Sequence, residues 1–162
     1  MTYRLRRRQV VGGTPSEVFA FFKDPLNLEA ITPPWLSFKV VGASDREVRA
    51  GTRIRYRLRL HGIPLRWESV IAEYAEDDRF ADEMLAGPYR RWYHRHLFRA
   101  VDGGVEIEDQ VDYVLPLGAL GRLAHAIGVR RQLGEIFDYR ERRIAALFPY
   151  RPARPGQPVV TR

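Results

Sequence analysis

The sequence predicts an α+β domain in which a curved antiparallel sheet wraps around a long C-terminal helix. Three observations predict this class. Apolar side chains recur at every second position over much of residues 35–114, as in strands that bury one face. Short turn sequences separate these runs, and after Pro116 the apolar spacing becomes helical. The length of 162 residues fits a single domain.

A strand and two short helices are predicted before the main sheet. Residues 3–11 alternate basic and apolar side chains, which is typical of a one-sided or edge strand. Thr14 followed by Pro15 predicts a helix start, since threonine caps helices and proline suits the first helical position. Pro25 ends this helix, and LNLEAI (residues 26–31) forms the second one. Phe21, Phe22 and Leu28 of these helices are expected beside the mouth of any cavity.

Six further strands are predicted to form an antiparallel meander. The clearest run is TRIRYRLRL, in which apolar and basic side chains take opposite faces. Turns are expected at HGIP (61–64), EDD (76–78) and DGG (102–104). The predicted strands lie at residues 35–42, 52–60, 65–74, 79–87, 87–100 and 105–115.

A long amphipathic helix is predicted to close the domain, which we place at residues 1–148. Gly128 is expected to kink this helix or to divide it in two. The segment 149–162 is rich in proline and is predicted to be a flexible tail. The predicted apolar face of the helical segment consists of Leu120, Leu123, Ala124, Ile127, Leu133, Ile136, Phe137, Ile144 and Leu147.

The composition excludes several classes of protein. Cysteine is absent, so disulfides and thiolate chemistry are excluded. No apolar run approaches the ~20 residues of a membrane span, so stable membrane insertion is not expected. The first residues lack the apolar region of a secretory signal, and we expect a cytoplasmic protein. Oligomeric state cannot be inferred.

The formal net charge of +7 raises the question of a nucleic-acid or anionic-membrane partner. Only Lys23 and Lys39 are lysines, and the other basic residues are arginines. A row of arginines is predicted on one strand exterior, but it lacks the interleaved aromatic residues that stack on bases. Nucleic-acid binding is therefore not expected as the main function, although an interaction module on this basic face remains an alternative. The row consists of Arg53, Arg55, Arg57 and Arg59.

Four ionisable side chains are predicted on the same apolar face of three neighbouring strands. His94 and His96 share a face with Trp92, and the acids on the matching faces are Asp82 and Asp109. Buried charges require partners, so His–Asp pairs across the strands are expected. The cluster could brace the sheet, orient a ligand, or perform acid–base catalysis through His94, His96 or Asp109. A metal site needs a third or fourth ligand, and we predict neither a metal nor a cofactor.

Four segments resemble a known superfamily: FAFFKDPLNLEAITPPWLSF, GTRIRYRLRLHGIPLRWESVI, FADEMLAGPYRRWYHRHLF and EIEDQVDYVLPLG. They are similar to the SRPBCC superfamily, the START-like or helix-grip proteins, and to its ligand-binding, polyketide cyclase/dehydrase-like bacterial members. The resemblance covers about residues 3–148. It implies a Bet v 1-like helix-grip fold with a deep apolar cavity between the sheet and the C-terminal helix. It carries over no catalytic motif.

The expected function is therefore binding of a small hydrophobic molecule, such as a lipid, a polyketide or an aromatic compound. A cyclase or dehydratase with a histidine acid–base is the enzymatic alternative. Trp35 is also expected on an inward face. The predicted ligand-binding residues are Tyr56, Trp67, Asp82, Trp92, His94, His96, Asp109, Tyr113 and Phe137.

Overall fold

The computed structural model describes residues 1–152, apart from the side chains of Arg122 and Ala124. Its strands are β1 (Tyr3–Val11), β2 (Lys39–Ala43), β3 (Arg53–Leu60), β4 (Ile63–Ala75), β5 (Arg79–Ala86), β6 (Arg91–Val101) and β7 (Gly104–Val114). They form one antiparallel sheet in the order β1-β7-β6-β5-β4-β3-β2. The predicted meander is confirmed as β2 to β7, and β1 adds to it by pairing with β7.

The helices lie before the meander and after it. They are α1 (Pro15–Lys23), 3-10 helices over Pro25–Ile31 and Pro34–Leu36, α2 (Gly118–Ala124), a π-helical turn (His125–Val129) and α3 (Arg130–Leu147). The predicted start of α1 is confirmed. The Thr14 side chain accepts from the Glu17 backbone N–H, and the Glu17 carboxylate accepts from the Thr14 backbone N–H. This reciprocal pair is a capping box, which satisfies N–H groups at the helix start.

The strand predicted at residues 35–42 begins later than expected. Trp35 lies in the short 3-10 helix that follows the two prolines, and the strand starts only at Lys39. Ser37 ends this helix in the left-handed conformation with φ of 46°, which a strand residue would not adopt. The expectation that Trp35 faces inward is wrong: it is 50% exposed, and the buried residue of the turn is Leu36.

The turn predicted at HGIP is shorter than four residues. β3 continues to Leu60 and β4 starts at Ile63, so only His61 and Gly62 form the loop. Both have positive φ, 49° and 82°. Two positive φ angles are typical of the two-residue hairpin turn whose twist matches that of the strands.

The sheet curves where β4 passes its neighbour β5. The pairing of these strands shifts between Glu68 and Ser69 and again between Ile71 and Glu73. Such bulges bend a strand and increase its twist. The bend makes the face that carries Tyr56 concave, and α3 lies against this face.

The α3 helix buries one face against the sheet. Leu133, Phe137, Arg140 and Ile144 are buried, with the spacing of one helical stripe. The Phe137 ring lies 5.5 Å from the His94 ring, so the helix contacts the centre of β6. The predicted helix-grip architecture is thus confirmed.

The first part of the predicted C-terminal helix does not pack as expected. The π-helical turn, which contains Gly128, separates α2 from α3 at the predicted break. Leu120, Leu123 and Ile127 are 57–75% exposed, so their assignment to the buried face is wrong. The reason is that α2 contacts the π-helical turn rather than the sheet, and the turn interrupts the helical phase that the spacing assumed.

Ordered contacts continue past residue 148. The Gly12 N–H donates to the Phe148 carbonyl at 3.0 Å, and the Tyr150 hydroxyl donates to the Asp102 carbonyl at 3.1 Å. The rest of the predicted tail, residues 153–162, lies outside the described part of the chain. No helix within residues 1–152 has the length and apolar character to cross a membrane.

Candidate functional site

The four ionisable groups predicted on the inner face meet at the centre of the sheet. Asp82 of β5 is the register partner of His94 of β6. His96 of β6 is the register partner of Asp109 of β7. Because side chains alternate along each strand, these two cross-strand pairs project from the same concave face. The histidines and Asp109 are buried, and Asp82 is partly exposed.

Both histidines turn one ring nitrogen toward the same oxygen of Asp109. His94 Nε2 lies 2.9 Å from Asp109 Oδ1 and donates a hydrogen bond to it. His96 Nδ1 lies 2.7 Å from this oxygen, although its N–H direction is poor for a hydrogen bond. A single carboxylate oxygen therefore fixes the orientation of two imidazole rings.

The remaining ring nitrogens face Asp82. His94 Nδ1 lies 3.6 Å from Asp82 Oδ1, and His96 Nε2 lies 3.9 Å from the same atom. These separations exceed hydrogen-bond length. The Ser69 hydroxyl lies 3.4 Å from Asp82 Oδ2 and accepts from the Trp67 indole N–H at 2.9 Å. Ser69 thus contacts Oδ2 of Asp82, and Oδ1 is directed between the two histidines.

The electrostatics of the buried pair favour a neutral His94 and an ionised Asp109. Burial and the neighbouring His96 lower the pKa of His94, and together they outweigh the opposing effect of Asp109. Burial raises the pKa of Asp109, but the charge of Arg140 and the histidine contacts outweigh it and hold this pKa well below its usual range. With its proton on Nε2, neutral His94 has a lone pair on Nδ1.

Arg140 is a site residue that the sequence pattern did not reveal. The residue is 8% exposed, and its Cζ lies 5.6 Å from the centre of the Phe22 ring. Its Nε and Nη2 have no hydrogen-bond partner among residues 1–152. The spacing from Phe137 and Ile144 could have revealed it, since positions three and four apart share a helix face.

A cavity of about 200 Å³ lies between the sheet and α3. Its walls are largely apolar, with aromatic side chains from the sheet and from α1. Asp82, His94, His96 and Arg140 add polar groups to this lining. The predicted mouth residues Phe21, Phe22 and Leu28 also line it. Few polar groups in an apolar hollow is the usual character of a small-molecule site.

Seven of the nine predicted ligand-binding residues line this cavity, and two do not. Asp109 lies behind the histidines and contributes only to a much smaller hollow of about 10 Å³. Tyr113 lies near the end of β7 beside its register partner Tyr3, and its hydroxyl is 2.8 Å from His125 Nε2. Tyr113 lies outside this lining because alternation gives a face but not the position along it, and its role in ligand binding stays a prediction. The seven lining residues are Tyr56, Trp67, Asp82, Trp92, His94, His96 and Phe137.

One carboxylate on the outer face of the sheet is buried. Alternation places Glu108 on the outer face, yet its side chain is 2% exposed. Arg6 and Arg8 of β1 cover it, with Nε atoms 2.6 and 2.8 Å from its two oxygens. Long arginine side chains can bury a neighbour in this way while their charged ends remain in water. The arginines of the predicted row on β3 are exposed, as expected.

The fold and its cavity define the START-like, Bet v 1-like helix-grip class of architecture. Among solved structures, the chain is similar to TTHA0849 from Thermus thermophilus, at TM-score 0.65 and 21% identity, over 90% of this chain and 99% of that one. A major latex-like protein 151 from Panax ginseng matches at TM-score 0.67 and 12% identity, over 91% and 98%. A START superfamily protein from Mycobacterium smegmatis matches at TM-score 0.63 and 12% identity, over 89% and 98%.

These similarities establish the fold, since all three identities are low. No protein-family model matches the chain. No curated protein matches it either.

Proposed function

We propose that the chain binds a small, predominantly apolar molecule in the cavity between the sheet and α3. The observation that carries the proposal is the cavity itself, about 200 Å³ with aromatic walls. Protein interiors are normally packed without voids larger than a water molecule. A hollow of this size has room for several water molecules. Apolar walls hold such water poorly, so an apolar ligand would gain free energy by displacing it.

The polar groups of the cavity supply the orientation of the ligand. Arg140 has two buried N–H groups without a partner in the described chain, and a buried unpaired donor is costly. A carboxylate or another anionic oxygen on the ligand would pair with them. The expected ligand is therefore an aromatic or aliphatic molecule with one acidic or strongly accepting end.

Tryptophan fluorescence provides a direct test of binding. Trp67 and Trp92 line the cavity, whereas Trp35 is half exposed and does not, and the chain has three tryptophans. Neutral methyl 2-naphthoate should saturably quench the Trp35→Phe variant. A Trp67→Phe/Trp92→Phe variant, which retains Trp35, should show little quenching. Equal quenching in both variants, or none in the first, would overturn the proposal.

Two alternative functions remain predictions. Acid–base catalysis would need a substrate atom beside His94 Nδ1 or His96 Nε2, the nitrogens not directed at Asp109. An interaction module would use the exposed arginine row on β3. Neither alternative gains an observation beyond those that support ligand binding.

A further inference from the structure

We propose that Asp82, His94 and His96 form a binding site for a divalent transition-metal ion of the Zn²⁺ type. Each side chain offers one ligand atom, and the three atoms lie within 4.8 Å of one another. Two imidazoles and one carboxylate are a donor set that suits Zn²⁺ and neighbouring first-row ions. The proposal does not depend on the apolar ligand. It reverses the prediction of no metal, because the structure supplies the third ligand that sequence spacing left uncertain.

The distances match a coordination site better than a hydrogen-bonded cluster. His94 Nδ1 and His96 Nε2 lie 3.6 and 3.9 Å from Asp82 Oδ1, too far for hydrogen bonds. Bonds of about 2.0–2.2 Å in a tetrahedral site place ligand atoms about 3.4 Å apart. Shifts of a few tenths of an ångström would therefore bring each histidine nitrogen to this separation from Asp82 Oδ1. Asp82 is the least buried member, so it has room for such a shift.

Asp109 acts as a positioning residue for the proposed ligands. It faces the ring nitrogens on the far side, 2.9 Å from His94 Nε2 and 2.7 Å from His96 Nδ1. Metal-binding histidines usually present their second nitrogen to a carboxylate or carbonyl, which fixes the ring and raises its basicity. Asp109 does not line the main cavity, whereas the three proposed ligands do. The ion would thus lie on the cavity side, with a coordination position open to the hollow.

The third ligand is positioned as well. The Ser69 hydroxyl lies 3.4 Å from Asp82 Oδ2, and Ser69 in turn accepts from the Trp67 indole. This contact orients the carboxylate so that Oδ1 is directed toward the two histidines. Ser69 is fully buried, which makes the support rigid. All three ligands therefore have a second contact that restricts them before any ion binds.

The local charge also favours a cation. Arg140 lines the same cavity as Asp82 and its charge acts on Asp109, so one guanidinium serves two carboxylates. With neutral imidazoles, which metal binding requires, one negative charge is left without compensation. A divalent ion would reverse this balance and leave one positive charge. An anionic ligand group in the cavity could then neutralise that charge.

Titration of the metal-free chain with Co²⁺ tests the site, because cobalt reports bound geometry through its visible absorption. The chain has four histidines, which allows a matched control. The wild type and the control double variant His61→Gln/His125→Gln should each bind one equivalent, displaceable by Zn²⁺. His94→Gln and Asp82→Asn should bind at least tenfold more weakly. Asp109→Asn should lose roughly 10–100-fold in affinity, as expected of a positioning carboxylate.

If His94→Gln fails to fold, Asp82→Asn decides the result, because Asp82 is partly exposed whereas His94 is buried. Asp82→Asn changes one partly exposed atom, and circular dichroism would verify its fold. Zn²⁺ should raise the thermal midpoint of the wild type and of the double control, but not that of Asp82→Asn. Absence of one-equivalent binding by the wild type, or equal affinity in Asp82→Asn, would overturn the proposal. Quenching by methyl 2-naphthoate in the metal-free chain reports separately on the apolar cavity.

Discussion

Arg140 illustrates how a single buried charge can define the ligand that a cavity prefers. Its guanidinium is buried beside Phe22, and two of its donor groups have no partner in residues 1–152. The charge of Arg140 favours the ionised form of Asp109, but the two groups do not form a direct ion pair within 4 Å. A buried cation with free donors stabilises an anionic oxygen more than a neutral ester.

We expect Arg140→Met to remove a preference for acids over esters. The wild type should bind 2-naphthoate about tenfold more tightly than methyl 2-naphthoate, a difference of about 1.4 kcal/mol. Arg140→Met should bind both probes alike, because the donors are gone and the apolar walls remain. Fluorescence titration measures this ratio. Arg142→Met, an exposed change on the same helix, is the control, and an unchanged ratio in Arg140→Met would contradict the assignment.

Glu108 shows that a buried carboxylate on the outer face can be satisfied by exposed arginines. Arg6 and Arg8 lie 2.6 and 2.8 Å from its oxygens, Gln110 donates at 2.6 Å, and Arg99 lies 3.8 Å away. Burial raises the pKa of Glu108, but these contacts outweigh it and hold the pKa below its usual value. Glu108 therefore stabilises the fold when it is ionised.

Glu108→Gln should lower the free energy of unfolding at pH 7 by about 1–2 kcal/mol, since it removes charge-assisted hydrogen bonds to partly exposed partners. Because the folded-state pKa is depressed, this contribution is complete above the unfolded pKa of about 4.3. It is lost as the pH falls through the folded pKa. Urea unfolding at pH 7 and near pH 3 measures the difference. Glu106→Gln is the control, and a pH-independent effect would contradict the argument.

At the scale of elements, two glycines have opposite conformational requirements. Gly62 forms the β3–β4 turn with φ of 82°, and an added Cβ would meet no atom within 4 Å. Gly128 lies in the π-helical turn before α3, and a Cβ there would also meet open space. Sterics are therefore equal, and only the backbone conformation distinguishes the two positions.

Gly62→Ala should destabilise the protein by about 1 kcal/mol, because alanine resists positive φ. Gly128→Ala should stabilise it by up to about 1 kcal/mol, because alanine favours helical backbone and loses less entropy. Thermal or urea unfolding of the two variants measures both effects. Changes of the same sign in the two variants would contradict this account of the turns.

The whole molecule combines a tightly packed core with a hollow at its centre. Phe19 packs edge-on against Phe80 and Phe98 at ring distances of 5.9 and 5.1 Å, and Phe80 also lines the cavity. The bulges of β4 curve the sheet, and α3 lies across the concave face without filling it. The walls of such a cavity lack packing contacts, so the rest of the core must stabilise the fold without them.

Filling the cavity should weaken binding without unfolding the chain. Ile136 lines the hollow from α3 and is only partly buried, so Ile136→Trp can enter it. Affinity for methyl 2-naphthoate should fall at least tenfold. Ile127→Trp is the matched control, since Ile127 is 75% exposed outside the cavity lining. Competition against a fluorescent naphthyl probe, followed by the emission of the probe rather than of tryptophan, measures the affinities of both variants. Equal affinities would contradict the placement of the site.

Much of the fold was predictable because strand alternation is a local property. The inward set on β6, with Trp92, His94, His96 and Phe98, is buried as predicted. The faces of Asp82 and Asp109 were likewise predicted, since each acid alternates in step with the apolar residues of its own strand and shares their face. Trp35 was misplaced, and Tyr113 lies on the predicted face but outside the cavity lining, each for its own reason. A turn residue has no alternation to follow, and alternation does not say which part of a face opens to a cavity.

By itself, the sequence determined the order of the elements, the two faces of each strand and the presence of four inward ionisable groups. Period-two and period-3.6 patterns carry this information because they follow from backbone geometry. Only the tertiary structure decided that two histidines share one oxygen of Asp109, and that Arg140 of α3 faces the same cavity. Those relations depend on cross-strand register, sheet curvature and helix placement, which are set by contacts between residues distant in the chain.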